Sequence, residues 1–350
     1  MIIKEINNNV GLIFLNRPKN INALNLQMIS DLKNVFEEWE NNDEVKIILL
    51  DGLGDKGFCA GGDLKNTYYD FVNNDECEDK LKLFKEEFAL HKYVKNYKKK
   101  IICNYFGVVM CGGIGLSINN DFKICSGKVK WAMPEIKLGF VPDAGVGHFL
   151  SRLPHPIGLY LSLTGESIEA SDLIRLGLAD LYIDPKDYEN LQNLLFKIAR
   201  ENDKDKILEV FKNESKAFAK ELEETRLSKN MKKINKYFSH KNFKAIFEDL
   251  KENFDDSFAY NYYKALKSYS PFMVLLQFEK YFAEKKWSFE ESLNKDLAVL
   301  DYAIKSGRIK EGIRASMIDK DNKPLWPLKS FDQVKKYEIL KILESNEFNI

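Results

Sequence analysis

Residues 110–147 read MCGGIGLSINNDFKICSGKVKWAMPEIKLGFVPDAGVG, and the rest of the chain is organised around them. Gly112, Gly113 and Gly115 crowd into the opening turn, a short β-rich segment follows, and two acids, Glu135 and Asp143, close the stretch in turn-rich sequence. Glycines let a backbone approach a ligand closely and offer N–H groups to a developing negative charge. Two neighbouring carboxyls supply acid–base or nucleophilic chemistry. The first half of the stretch therefore implies an anion-stabilising turn, and the second half implies the chemistry.

Working outward, the apolar run 101–106 feeds Gly112-Gly113, and the apolar run 45–50 feeds the loop GLGDKGFCAGGDL at 52–64, with its own pair Gly61-Gly62. Repeated strand–turn–helix units predict an α/β fold with ligands at the carboxyl ends of the strands. A glycine pair after one strand is usually only a tight turn. Two such pairs suit an oxyanion hole, whose donors converge from separate turns and are each worth roughly 10²–10³ in rate.

At the N-terminus, 2–6 and 10–15 read as a hairpin across Asn7-Asn8-Asn9. Leu26, Ile29, Leu32, Val35, Phe36 and Trp39 recur at helical spacing over 25–40. Residues 65–80 show no clear period and read as a mobile excursion before a helix at 80–97. Beyond the central stretch, helices are expected at 157–164, 170–177 and 187–199, with a strand at 178–183. Lys- and Glu-rich helical sequence with spaced aromatics then runs through 200–306. The composition shift near residue 200 divides a catalytic core, 1–200, from a helical C-terminal region, 201–350, packed on it.

The chain has 350 residues, 45% of them hydrophobic and 30% charged, ordinary for a globular enzyme. Lys+Arg and Asp+Glu balance at 53 each, so no global field recruits nucleic acid or an anionic membrane. No apolar run approaches the ~20 residues of a membrane span. The cysteines, Cys59, Cys77, Cys103, Cys111 and Cys125, are odd in number and lack C-x-x-C or zinc spacing. Reduced thiols follow, and with no signal-peptide layout at the start a cytoplasmic protein is expected.

Glu135 is flanked by Trp131, Ala132, Met133 and Pro134 and by Ile136, Leu138 and Phe140. A lone acid is usually a solvated surface residue, but one in such apolar sequence is buried with a purpose or sits at a cleft mouth. If the following turn folds back, Asp143 approaches it and their proton affinities separate. Other chemistries lack support. G-x-S-x-G is absent. The dinucleotide and phosphate-loop glycine patterns are absent too, and His91, His148, His155 and His240 have no metal-ligand spacing. Cys111 reads more simply as a small buried hydrophobe than as a nucleophile. The Lys95, Lys98, Lys99, Lys100 cluster reads as a solvated helix end, with contact to a CoA phosphate as the minority reading.

The segments Leu15-Asn16-Arg17-Pro18 with Asn22-Ala23-Leu24, then FCAGGDL, GGIGLS and MPEIKLGFVPDAG, resemble the crotonase (enoyl-CoA hydratase/isomerase) superfamily. Within it the likeness is greatest to the 3-hydroxyisobutyryl-CoA hydrolase group, whose tail motif resembles Glu311-Gly312-Ile313-Arg314-Ala315, Ile318-Asp319-Lys320-Asp321 and Pro324-Leu325-Trp326. The resemblance spans nearly the whole chain and is loosest at 65–80 and 200–260. It implies a crotonase-type spiral of β–β–α repeats with a helical C-terminal region.

The resemblance also implies roles. Gly62 and Gly112 would donate to the thioester oxygen, Glu135 and Asp143 would be the catalytic acids, and both acids with Gly112 and Glu87 would bind the substrate. Ala23, Ala60 and Asp63 would lie along the CoA moiety, which belongs to the substrate, so no metal and no separate cofactor is expected. Hydratases of the family carry a second glutamate where this chain has Gly115 and a glycine where it has Asp143. That exchange favours thioester hydrolysis over hydration. Cys111, Phe106 and Val146 depart from the hydrolase pattern. A hydratase or isomerase and a non-catalytic acyl-CoA-binding protein are the alternatives, a serine esterase the least supported. Homo-oligomers are common among such relatives.

Overall fold

The computed structural model describes residues 1–73 and 80–350. Cys77 and the end of the expected 65–80 excursion fall outside the described residues. The chain divides into two compact units that interleave along the sequence: residues 1–62, 89–131 and 168–228 form the first, and residues 63–88, 132–167 and 229–350 the second. The composition shift near residue 200 falls within the first unit, between helices Tyr188–Glu201 and Lys204–Glu214.

A six-stranded sheet, with strands in sequence order, anchors the first unit: β1 (Ile2–Asn7), β2 (Val10–Leu15), β3 (Ile47–Gly52), β4 (Lys100–Met110), β5 (Phe122–Ala132) and β6 (Leu181–Ile183). β1 and β2 form the expected hairpin, antiparallel, with Asn7 opposite Val10. Asn8 and Asn9 take φ of +48° and +67°, the left-handed pair that a two-residue hairpin turn demands and asparagine tolerates. β2, β3 and β4 then pair in parallel, as does β5 with β6. Parallel strands are covered on both faces, and their continuous apolar runs reflect it.

Over one face, Val10, Leu12, Ile47, Leu49 and Ile102 pack with Leu191, Leu195 and Ile198 of helix Tyr188–Glu201. Helix Leu26–Glu40, capped by the Asn25 side chain on the Met28 amide, buries Met28, Ile29, Leu32, Val35, Phe36 and Trp39. Its Trp39 ring lies against Gly11.

β3 begins two residues later than the sequence suggests, at Ile47 rather than residue 45. The amide of Lys46 is held by Asn9, and its ammonium reaches the carbonyls of Ala199 and Asn202 at 3.3 and 3.2 Å, so the segment before β3 is a tethered turn.

The second unit is mainly helical. Part of the expected excursion is instead the helix Leu64–Asn73. Asp63 starts it: its carboxylate accepts from the Asn66 amide and from Asn66 Nδ2, and its carbonyl accepts from Thr67. Leu64, Thr67 and Phe71 form the buried face. A threonine in the middle of that face hid the period.

Helix Phe289–Lys305 starts with a reciprocal pair of bonds between Ser288 and Glu291. Helix Pro271–Glu284 places proline at its first turn, where a missing N–H costs nothing. Among the described residues, no helix is long and apolar enough to cross a membrane.

Candidate active site

In the first unit, the two glycine pairs are brought side by side. Residues 57–61 run along the end of β4: Cys59 N–H donates to Val108, Met110 N–H donates to Cys59, and isolated bridges join Gly57 to Gly107 and Cys59 to Val109. Gly61 has φ +93°, and a Cβ there would collide with the Cys111 side chain while lying 3.0 Å from the Gly112 nitrogen. Only glycine satisfies both demands. Cys111 sits at φ +50° and ψ −127°, rare for a residue with a side chain, and from it opens the short helix Gly112–Ser117. The first amides of such a turn have no intrahelical acceptor. Gly62, bridged to Leu24, and Gly112 thus lie in adjoining turns of one unit.

Asn22 ties its own loop to the glycine-rich loop after β3. Fully buried, it donates to the carbonyls of Leu53, Gly57 and Phe58 at 3.0–3.2 Å and accepts from the Arg17 amide at 2.9 Å. Ala60 N–H donates to Ile21, and the Ala23 carbonyl accepts from the Arg17 guanidinium. Ala23 and Ala60 are thus both tied into the 17–24 segment, with Ala60 half-buried. Asp63, the third residue expected along CoA, belongs to the second unit, where its carboxylate is engaged as a helix cap.

His91 was legible only as a histidine without ligand spacing. It is buried, and that burial pushes its ring down to about 3, opposed by a hydrogen bond to the Gly112 backbone. A neutral imidazole thus lies beside the glycine turn.

The three expected acids all belong to the second unit. Glu135 opens the 3₁₀ turn Glu135–Leu138 and is 1% exposed; Glu87, on helix Lys82–Lys95, is 3% exposed and Asp143 5%. Burial pushes Glu87 up to about 8, and the charge of Glu135 adds to the shift. Asp143 rises well above the usual carboxylate range, first through burial and then through the charges of Glu135, Asp296 and Glu87, with Lys280 opposing. The charge of Glu135 thus reaches both of the other two carboxyls. A site in which buried Glu87 and Asp143 hold their protons more tightly than usual has acids to offer.

Three further buried charges flank Asp143, and the sequence reading missed them. Lys280 donates to the Pro142 carbonyl at 2.9 Å and pairs with Glu284 at 2.6 Å and Asp296 at 2.7 Å. Asp296 accepts the Gly145 amide at 2.9 Å. A Cβ at Gly147 would collide with the Glu284 carboxyl. Val146, one of the departures from the hydrolase pattern, is fully buried, and its amide returns to the Asp143 carbonyl at 2.9 Å. Among the described residues, no group of three or more His, Cys, Asp and Glu side chains is arranged to hold a metal ion.

The enoyl-CoA hydratase/isomerase family model matches residues 10–343. The chain is 33% identical over 325 residues to a protein of Xenopus laevis named 3-hydroxyisobutyryl-CoA hydrolase, mitochondrial, covering 93% of this chain and 83% of that one. It is 31% identical over 318 residues to the human protein of the same name, covering 90% and 81%. Among solved structures, a carnitinyl-CoA dehydratase from Mycobacterium thermoresistibile superposes with a TM-score of 0.87 at 26% identity, over 99% of this chain and 97% of that one. An enoyl-CoA hydratase from Rhodobacter sphaeroides superposes with a TM-score of 0.86 at the same identity and coverage.

Proposed function

The chain belongs to the enoyl-CoA hydratase/isomerase family, and from that premise we propose that it hydrolyses a short β-hydroxyacyl-CoA thioester, with 3-hydroxyisobutyryl-CoA, an intermediate of valine breakdown, as the leading substrate. The observation that carries the reading is Asp143. It is a buried acid under the influence of Glu135, in a chain whose other hydratase-type acid position is Gly115. The names of the relatives support the same substrate.

In this reading the Gly62 and Gly112 amides receive the charge that develops on the thioester oxygen. Glu135 attacks the carbonyl or activates water. Asp143, held protonated by burial and its acidic neighbours, supplies a proton to the departing thiolate or holds the substrate hydroxyl. Glu87 lines the acyl pocket, and Ala23, Ala60 and Asp63 contact CoA. CoA enters only as part of the substrate. The cytoplasm is our proposed compartment, and recovery of the protein in an organelle fraction would overturn it. Homo-oligomerisation is proposed with it, on the habit of crotonase relatives, and a monomer in sedimentation would overturn that.

A second reading, hydration or isomerisation of an enoyl-CoA, draws on Glu87. That carboxyl, pushed up to about 8 beside Glu135, is an acid able to replace the one missing at Gly115. Thiol release across a panel of acyl-CoA esters, run beside crotonyl-CoA hydration, separates the two. The hydrolase reading expects 3-hydroxyisobutyryl-CoA to be cleaved fastest and crotonyl-CoA to stay unhydrated. Hydration at a rate matching thioester cleavage would favour the second reading, and acyl-CoA binding without turnover of either kind would overturn both.

A further inference from the structure

Helix Pro271–Glu284 carries a polar stripe on its buried side: Gln277, Lys280 and Glu284 are all 0% exposed. An ammonium has three donors and no acceptor. Lys280 is met on three sides, by hydrogen bonds to the Pro142 carbonyl and Glu284 and by an ion pair with Asp296. Asp296, from helix Phe289–Lys305, uses its other oxygen on the Gly145 amide. Hence one buried cation reaches the chain on both sides of Asp143, directly at Pro142 and through Asp296 at Gly145. The tight fit of Gly147 against Glu284 closes the same turn. A fully buried ion network is weak evidence for stability, because desolvation offsets its Coulomb gain. Its connections to a single acid-bearing turn give it a different use.

We propose that Lys280 is the positioning residue of Asp143, an assignment that rests on the hydrolase reading above. It fixes the Pro142–Gly147 turn, and it is the countercharge in a cluster otherwise made of carboxyls. The charged groups that act on Asp143 are Glu135, Asp296, Glu87 and Lys280, and those on Lys280 are Asp296 and Glu284. Only Lys280 among them favours the ionised form of Asp143. Burial alone would lower the Lys280 ammonium, but Asp296 and Glu284 more than offset this and keep it charged.

The test is the double variant Lys280→Met/Glu284→Gln. It removes one charge of each sign and leaves Asp296 to accept the Gly145 amide. Thiol release from 3-hydroxyisobutyryl-CoA is followed against pH, beside the wild-type protein and Asp143→Asn. The expected result is a kcat lowered roughly tenfold to a hundredfold with KM changed less than about threefold. The limb of the pH profile that Asp143→Asn abolishes moves up by roughly one pH unit. A residue with a merely structural role would lower the melting temperature and leave that limb in place, which overturns the proposal. Should the double variant not fold, Lys280→Met/Glu284→Gln/Asp296→Asn removes every charge of the network, and its kcat is expected to fall at least tenfold through loss of the Pro142 anchor. A wild-type kcat in that triple variant overturns the proposal while the hydrolase reading stands. No thiol release by the wild-type protein overturns the reading, and this assignment with it.

Discussion

Replacing Glu87 by glutamine is expected to stabilise the protein, and to do so only as the pH rises. In the folded protein, burial and the charge of Glu135 push the Glu87 carboxyl from 4.5 up to about 8. The folded state therefore holds this proton more tightly than the unfolded chain does. The associated stability is fully present below pH 4.5, drains away as pH climbs, and is gone above about 8. At about 1.4 kcal/mol for each tenfold change in proton affinity, the loss amounts to about 3 kcal/mol at pH 7 and about 5 kcal/mol above pH 8. Glutamine keeps the shape and has no proton to lose. The difference between variant and wild type should be small at pH 4.5 and grow by those amounts toward pH 8.5. For a chain of this length, each kcal/mol is worth roughly 1.5 °C in melting temperature. Urea unfolding of both proteins at pH 4.5, 7 and 8.5 measures it, and taking the difference cancels the titration of the acids remote from Glu87. A difference that does not change with pH, or a variant less stable than wild type at pH 8.5, would refute the argument.

Other perturbations follow from the same geometry. Lys280→Met alone strands Glu284 and Asp296 without their cation and should cost about 3–5 kcal/mol in urea unfolding at pH 7. Gly61→Ala forces a side chain into a left-handed backbone and against Cys111; it should lose about 1–3 kcal/mol and, under the hydrolase reading, thiol release should fall more than the melting temperature implies. Leu195→Ala opens a cavity beneath the sheet and should cost about 2–5 kcal/mol in urea unfolding with kcat unchanged.

Much of the frame was legible because local chemistry and global fold agree there. Asn8-Asn9 between two apolar runs is a turn that few residues can make, and the 3.6-residue spacing from Leu26 to Trp39 has no competing period. The glycine pairs after β3 and β4 were readable for the same reason, and the structure does bring their turns together within one unit. Helix Leu64–Asn73 escaped because its start is capped by an aspartate that also reads as part of a loop motif, and because Thr67 occupies its buried face.

In the acid cluster, Glu135 and Asp143 stood out through their apolar and turn-rich surroundings. Lys280, Glu284 and Asp296 did not, since each looks like an ordinary surface charge of a helix and Asp296 lies on a different helix from its partner. A signal was present: Gln277, Lys280 and Glu284 fall on the same side of a helix whose other residues are almost all apolar. Only the fold shows that this side is the dry one.

The most direct test of the central claim is kcat/KM for thiol release from 3-hydroxyisobutyryl-CoA by the wild-type protein, Glu135→Gln and Asp143→Asn. Removing a positioned acid or base typically lowers rate by about 10²–10⁴, and both variants should fall by that much while keeping the wild-type circular dichroism spectrum. Wild-type turnover in either folded variant would contradict the account.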